Sequence, residues 1–288
     1  MSIDGTGESP VGTDAGLLLG KHAPRVERYS PHILYPIARA GSRATLGLPP
    51  VGPLPFTGFD LWHAYELAWL DAGSKPVVAV GRLLVPANSP NMVESKSLKL
   101  YLNSLNNAVF ASHQALVETV QRDIERVCGA PVTLELLEPG SAGLAGTGLA
   151  GECLDALDVP VPAGGPGENL PERADSRADA EIVEQRLYSH LLRSLCPVTA
   201  QPDWASVWVH YRGPRLQPEP LLRYLLAFRN HREFHEQCVE RIFCDLMACA
   251  GPELLTVQAL YTRRGGLDIN PMRSTEDDAR PLPRLNRQ

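Results

Sequence analysis

One thiol and one carboxylate, seven residues apart, hold the most chemistry in this sequence. Cys196 stands directly ahead of Pro197 in the stretch 195–208, Leu-Cys-Pro-Val-Thr-Ala-Gln-Pro-Asp-Trp-Ala-Ser-Val-Trp, and Asp203 lies at the mouth of its apolar end. A nucleophile with a proton partner on one fixed frame is the minimum for covalent catalysis. The plainer alternative for Cys196 is a small buried filler, a common use of a free cysteine. Asp203 also poses a difficulty, because an ionised carboxylate disfavours a thiolate beside it. The pair makes sense if Asp203 holds a proton to donate, or if a third group balances its charge. His235 is the available third group, since imidazole titrates near neutrality.

Other clusters surround this pair. Glu236 follows His235, and a buried carboxylate suits an aminopyrimidinone edge, where a ring N–H and an amine lie side by side. The alternative for Glu236 is an exposed helix charge. His231 and His235, at i and i+4, read as one helix face, and with Cys238 they raise the thought of a metal. The metalloprotease pattern requires Glu straight after the first His, where Arg232 stands, so no metal is expected. Glu94-Ser95-Lys96-Ser97-Leu98-Lys99 sets lysines at a helix start, a natural place for phosphate, although it could also be a solvated, capped helix. Arg263-Arg264-Gly265-Gly266 adds paired guanidiniums with flexible glycines. A GxGxxG at 146–151 is a decoy: the dinucleotide fingerprint must open a long helix, and Val-Pro-Val-Pro follows at 159–162.

The elements that position these groups read as follows. Residues 1–57, rich in Gly and Pro, form an extended lead-in with little regular structure. Segments 59–70 and 77–86, with the turn Gly-Ser-Lys-Pro between them, make a hairpin. Leu98, Leu102, Leu105, Val109, Leu116 and Val120 recur at helical steps through Ile124, and Gly129 closes that helix. A strand at 132–137 follows, then a Gly- and Pro-rich linker over 138–180. Segment 181–194 is a strand or short helix, 205–211 a strand, 221–250 one long amphipathic helix, 254–261 a strand and 262–288 a tail. Shifting the second half by 124 places Leu98 on Leu222, Leu102 on Leu226 and Phe110 on Phe234, an ordered internal duplication.

Composition narrows the classes. The 288 residues carry a net charge of −6, which argues against the basic stripe that nucleic-acid binding needs. No run approaches the length of a membrane span and no signal-peptide pattern opens the chain. Six cysteines without CxxC spacing read as free cytoplasmic thiols.

Four ordered motifs together resemble one family, the QueF-type nitrile reductases, in its long two-module form. They are Glu-Ser-Lys-Ser-Leu-Lys-Leu-Tyr at 94–101, Cys-Pro-Val-Thr-Ala-Gln-Pro-Asp at 196–203, Phe-His-Glu at 234–236 and Tyr-Thr-Arg-Arg-Gly-Gly-Leu-Asp-Ile-Asn-Pro at 261–271. The resemblance implies an α+β tunnelling fold of two tandem modules, 58–137 and 181–288, each an antiparallel sheet with helices on one face. It implies NADPH-dependent conversion of 7-cyano-7-deazaguanine to the 7-aminomethyl compound, in tRNA queuosine biosynthesis, by a cytoplasmic homodimer. Carried over, Cys196 is the nucleophile that forms a thioimide and Asp203 the proton donor. His235 and Glu236 hold the substrate with Glu94, Ser95 and Lys96, while Lys96, Ser97, Arg264 and Gly265 meet NADPH. The rivals are a non-catalytic purine- or pterin-binding module and a metal-dependent cyclohydrolase-like enzyme.

Overall fold

The computed structural model describes residues 28–49, 52–175 and 180–288, so the lead-in reading for 1–27 lies outside the described residues. In chain order the elements are β1 (Pro36–Ala38), α1 (Ala40–Thr45), β2 (Thr57–Leu70), β3 (Pro76–Pro86), β4 (Asn91–Val93), α2 (Ser95–Asn103), α3 (His113–Cys128) and β5 (Thr133–Leu137). There follow β6 (Glu152–Cys153), β7 (Ile182–Leu195), β8 (Pro202–Pro214), α4 (Pro218–Ala227), α5 (His235–Ala250), β9 (Leu254–Tyr261) and β10 (Leu267–Ser274). The fold is α+β. One eight-stranded sheet runs β5-β3-β2-β10-β9-β8-β7-β6, antiparallel except for the short β6–β7 pair, and β1 pairs with β4 apart from it.

The β2–β3 hairpin forms as the alternation of branched and aromatic residues demands, with Asp71 Oδ1 accepting from Gly73 N (2.8 Å) and Lys75 N (3.0 Å) to close the turn. The helix read as continuous from Leu98 to Ile124 is two helices. Ser104 Oγ donates back to Tyr101 O (2.6 Å), and 108–110 hydrogen-bonds to the end of β2 through Leu70. Val109, read as one of the helically spaced positions, is 56% exposed for that reason. Ser112 then caps α3 by accepting from Ala115 N, and Gly129 ends it in a left-handed conformation, φ 73°.

The second long helix breaks in the same way. α4 passes through a 3-10 turn, Phe228–Asn230, and 231–234 runs extended, pinned to the end of β7 by Leu195 N donating to His231 O (2.8 Å). His231 therefore precedes α5 and shares no helix face with His235. The supposed tail holds the largest surprise: β10 lies near the middle of the sheet, paired with β2 on one side and β9 on the other. Part of the lead-in is regular too, as β1 and α1. The stretch 146–151 opens no helix, and Trp208 Nε1 donates to Ala150 O (2.9 Å) there.

Two apolar clusters form, one under α2 and α3, the other under α4 and α5. Ile269 joins the first, and Arg273, four residues on along β10, bonds Glu240 of α5. Residues at even spacing on a strand share a face, so both helix pairs cover the same side. A Tyr–Asp bond repeats in each half, Tyr101 to a buried Asp123 (2.8 Å) and Tyr224 to a half-buried Asp245 (2.6 Å). No helix among the described residues is long and apolar enough to cross a membrane.

Candidate active site

The junction between the halves brings most of the singled-out residues together. A cavity of about 370 Å³ is lined by Ser95, Lys96, Lys99 and Leu100 from α2, His235 from α5, and Thr262, Arg264, Gly265, Leu267 and Ile269 around β10. A narrow recess adjoins it, bounded by Ile37, Trp62, Met92 and Val93 on the first-half side and by Asp203, Phe234, His235 and Glu236 on the other.

Helix α2 starts where it does because Glu94 caps it. Its carboxylate accepts from Lys96 N (2.9 Å) and Ser97 N (2.7 Å). Burial pushes the Glu94 carboxyl up, and those two N–H groups only partly reverse it. Ser97 is buried, its hydroxyl donating to Glu94 O (2.7 Å) and accepting from Tyr35 N (3.0 Å). The expectation of Ser97 at a cofactor is thus not matched by its place: it braces the helix start, while Ser95 and Lys96 face the cavity. Lys99, one turn after Lys96, lines the cavity as well, with Glu66 Oε2 3.4 Å away. The i, i+3 spacing within the motif was the signal for it.

Arg264 and Gly265 sit in the β9–β10 turn. Gly265 and Gly266 take φ 59° and 80°, and Arg264 and Leu267 exchange backbone bonds, the geometry in which a Gly-Gly pair closes a hairpin. Arg264 Nη1 reaches Asp203 Oδ1 at 3.2 Å.

On the far side of Asp203, its Oδ2 lies 3.2 Å from His235 Nε2, near enough for a charge interaction but off the line of a good hydrogen bond. The imidazole stacks on Tyr261, centroids 3.7 Å apart and planes within 7°. Burial raises the Asp203 carboxyl, yet His235 and then Arg264 more than reverse this and hold it below its usual range. Burial likewise pushes the His235 imidazole below its ordinary value, against the pull of Asp203. Of the two ways to reconcile Asp203 with a neighbouring thiol, the geometry supplies the second: a third group balances its charge, and that group is the Arg264 guanidinium rather than His235.

Cys196 borders neither space. It is buried at the end of β7, where its N–H donates to Gln201 O (2.9 Å) and its carbonyl accepts from Ala200 N (2.9 Å), with Ala200 at φ 55°. Ser194 pairs with Asp203 across the β7–β8 ladder, and the bond to Gln201 carries that register on to Cys196. Cys196 and Asp203 are accordingly diagonal neighbours on one face.

Glu236, in the first turn of α5, is buried against the recess. Burial, then the negative charge of Asp60, pushes its carboxyl up to about 7, with Arg39 and Arg273 pulling the other way. The wall behind it contains Arg39, Asp60, Glu240 and Arg273, none of them recognised in the sequence. No short motif joins residues so far apart.

An α+β frame that gathers two lysines, Arg264 and carboxyl groups of shifted titration at one cleft has the make-up of an enzyme for a small, charged ligand. Known proteins give that class its family. Residues 25–136 match the model described as nitrile reductase, 7-cyano-7-deazaguanine-reductase N-term, and 202–280 match that of QueF-like protein. An NADPH-dependent 7-cyano-7-deazaguanine reductase of Chromohalobacter salexigens is 50% identical over 271 residues, covering 94% of this chain and 96% of its own. Its counterpart from Dechloromonas aromatica is 50% identical over 264 residues, covering 91% and 92%. The crystal structure of an archaeosine synthase QueF-Like in the apo form aligns with 32% of this chain and 91% of its own at 20% identity and a TM-score of 0.29, too slight a likeness to argue from. The chain belongs to the QueF family of 7-cyano-7-deazaguanine reductases.

Proposed function

We propose that this protein reduces the nitrile of 7-cyano-7-deazaguanine to the 7-aminomethyl compound at the expense of two NADPH. The observation that carries the reading is Asp203, poised between His235 and Arg264 on the sheet face it shares with Cys196, with Glu236 buried a few residues away. A purine-like ring enters from the adjoining cavity and parts the apolar walls of the narrow recess, where Glu236 accepts its ring N–H and exocyclic amine side by side. His235 and its stacked Tyr261 bound the reacting end.

The reaction balances as follows. The thiol of Cys196 gives its proton to the Asp203 carboxylate as sulfur bonds to the nitrile carbon. The same proton passes to the nitrile nitrogen, leaving a thioimide and restoring the carboxylate. NADPH, when bound, would supply two hydrides. The first, added to that carbon, lets the C–S bond break to an imine and a Cys196 thiolate that regains its proton from solvent. The second, with a further proton, gives the amine. Lys96, with Arg264 and Gly265, lines the adjoining cavity, where cationic side chains and a close backbone approach suit the phosphates of NADPH. Ser95 borders both spaces, and Glu94 serves through the helix it caps.

The proposal extends to architecture. Two tandem tunnelling-fold modules, 58–137 and 181–288, follow a lead-in and flank a linker at 138–180. The repeated element order and the paired Tyr–Asp bonds support this. Among the described residues β5 ends the sheet with no strand on its outer side, an edge that suits assembly with a second copy. Mixing protein, nitrile and NADPH and following NADPH absorbance tests the activity. Two NADPH consumed per amine formed is the expected stoichiometry, and no consumption would leave a binding module.

A further inference from the structure

The recess has a charged wall that the reaction above does not use. Strands β2 and β10 each set an apolar residue at the recess and a charged one further along the same face, and Arg39, which caps α1 just past the end of β1, adds a third charged group. Ile37 is followed by Arg39, Trp62 is preceded by Asp60, and Ile269 leads two steps further to Arg273. On α5, Glu240 lies one turn beyond Glu236. These groups interlock. Arg39 binds Asp60 through Nη2 and Ser89 Oγ through Nε (3.2 Å), and Arg273 spans Asp60 (2.9 Å) and Glu240 (2.9 Å). Arg43 binds Glu240 as well, at 2.7 Å. All five side chains are buried, three guanidiniums against two carboxylates. One positive charge is left over. Arg39 Nη1 is itself buried with no hydrogen-bond acceptor, and Glu240 Oε1 lies 3.7 Å from it. An uncompensated buried charge is costly, and Glu236 is the next carboxylate on the same helix face.

We propose that Arg39, fixed by Asp60 and Ser89, is a positioning residue for the substrate. It supplies the positive charge against which Glu236 stays ionised while it receives the N–H groups of the purine-like ring. This rests on the reading of Glu236 as the substrate carboxylate.

Glu236 faces Arg39 ahead of α1, Asp60 on β2, Arg273 on β10 and Cys128 at the end of α3, besides Glu240 on its own helix. Across the recess stand Asp203, His235 and Arg264. Among these, Arg39 and Asp60 act on Glu236 with opposite sign, which gives the idea a two-sided test.

Binding of 7-cyano-7-deazaguanine is measured in a Cys196→Ala background, so that bonding to sulfur plays no part, across the neutral pH range. Parent affinity should rise with pH and level off above about 7. Arg39→Met should move that midpoint up by about one pH unit or more and cost roughly tenfold in affinity at neutral pH. Arg39→Lys should restore most of it, and Asp60→Asn should move the midpoint down. A merely structural role would lower the melting temperature and weaken binding at every pH without moving the midpoint. Unmoved midpoints in Arg39→Met and Asp60→Asn would overturn the proposal. Should Arg39→Met not fold, the downward shift in Asp60→Asn with a parent-like midpoint in Arg39→Lys decides the matter. Glu236→Gln separates the two layers. If it binds the nitrile like the parent, the reading of the site fails. If it loses both affinity and pH dependence while Arg39→Met keeps the parent midpoint, only the role of Arg39 fails.

Discussion

Sulfur, acid and substrate carboxylate have separate duties, so the loss of each should be felt differently. Cys196→Ala should abolish NADPH oxidation yet leave nitrile binding within a few-fold of the parent; a variant with near-normal turnover would remove sulfur from the mechanism. Asp203→Asn keeps the shape but cannot carry the proton, and kcat should fall about 10²- to 10⁴-fold with little change in nitrile affinity. Equal losses in rate and affinity would make Asp203 a binding group. Glu236 gives a pH dependence of definite sign. Its carboxyl titrates at about 7, and the substrate selects the ionised form. Affinity should therefore fall as pH drops through that value, roughly tenfold per unit below it. A flat titration of affinity by calorimetry would contradict this. Asp203, His235 and Glu236, which border the recess, could be singled out because each lies in a compact run of sequence, as does Cys196, which borders neither space. The buried carboxylates and guanidiniums behind them were not, since Arg43 and Glu240 are 197 positions apart and meet only in the fold.

At the scale of elements, helix ends decided what the sequence revealed. Gly129 was read correctly as a stop because its left-handed φ of 73° is one that glycine adopts without penalty. An added Cβ would also approach Pro90 Cγ to 2.6 Å. Gly129→Ala should cost about 1–2 kcal/mol, measurable in denaturant unfolding, and an unchanged midpoint would mean the turn relaxes freely. The breaks at 104–112 and 231–234 escaped notice because apolar residues continue at helical spacing through both. What ends those helices is bonding to strand ends, Phe110 N and Leu70 N on one side and Leu195 N on the other. The second break has a functional consequence, for it makes His235 and Glu236 the opening residues of α5 and sets both beside the recess.

For the molecule as a whole, β10 is the element that matters most. It pairs with β2 over eight residues and so joins the halves into one sheet. Its sequence, Leu-Asp-Ile-Asn-Pro-Met-Arg-Ser, looks unlike a central strand, because Asp, Asn and Pro are poor strand formers. The polar residues are tolerated inside because distant partners satisfy them. Asp268 accepts from Tyr65 (2.5 Å) and meets His63 (2.8 Å), and Arg273 meets Asp60 and Glu240. Propensity cannot anticipate partners that only the finished fold supplies. Gly58, which faces Arg273 across this seam at φ 123°, leaves no room for a Cβ against the Met272 carbonyl. Gly58→Ala should therefore lower the thermal transition of the whole protein, with both halves melting together in calorimetry. Two separable transitions would mean the halves fold independently.

The claim on which the rest depends is the covalent bond between Cys196 and the nitrile carbon. Mass spectrometry of protein incubated with 7-cyano-7-deazaguanine, without NADPH, reads it directly. The account predicts a mass gain of one nitrile molecule, located on the peptide that carries Cys196, absent in Cys196→Ala and discharged when NADPH is added. Unmodified protein, or an adduct on another cysteine, would contradict it.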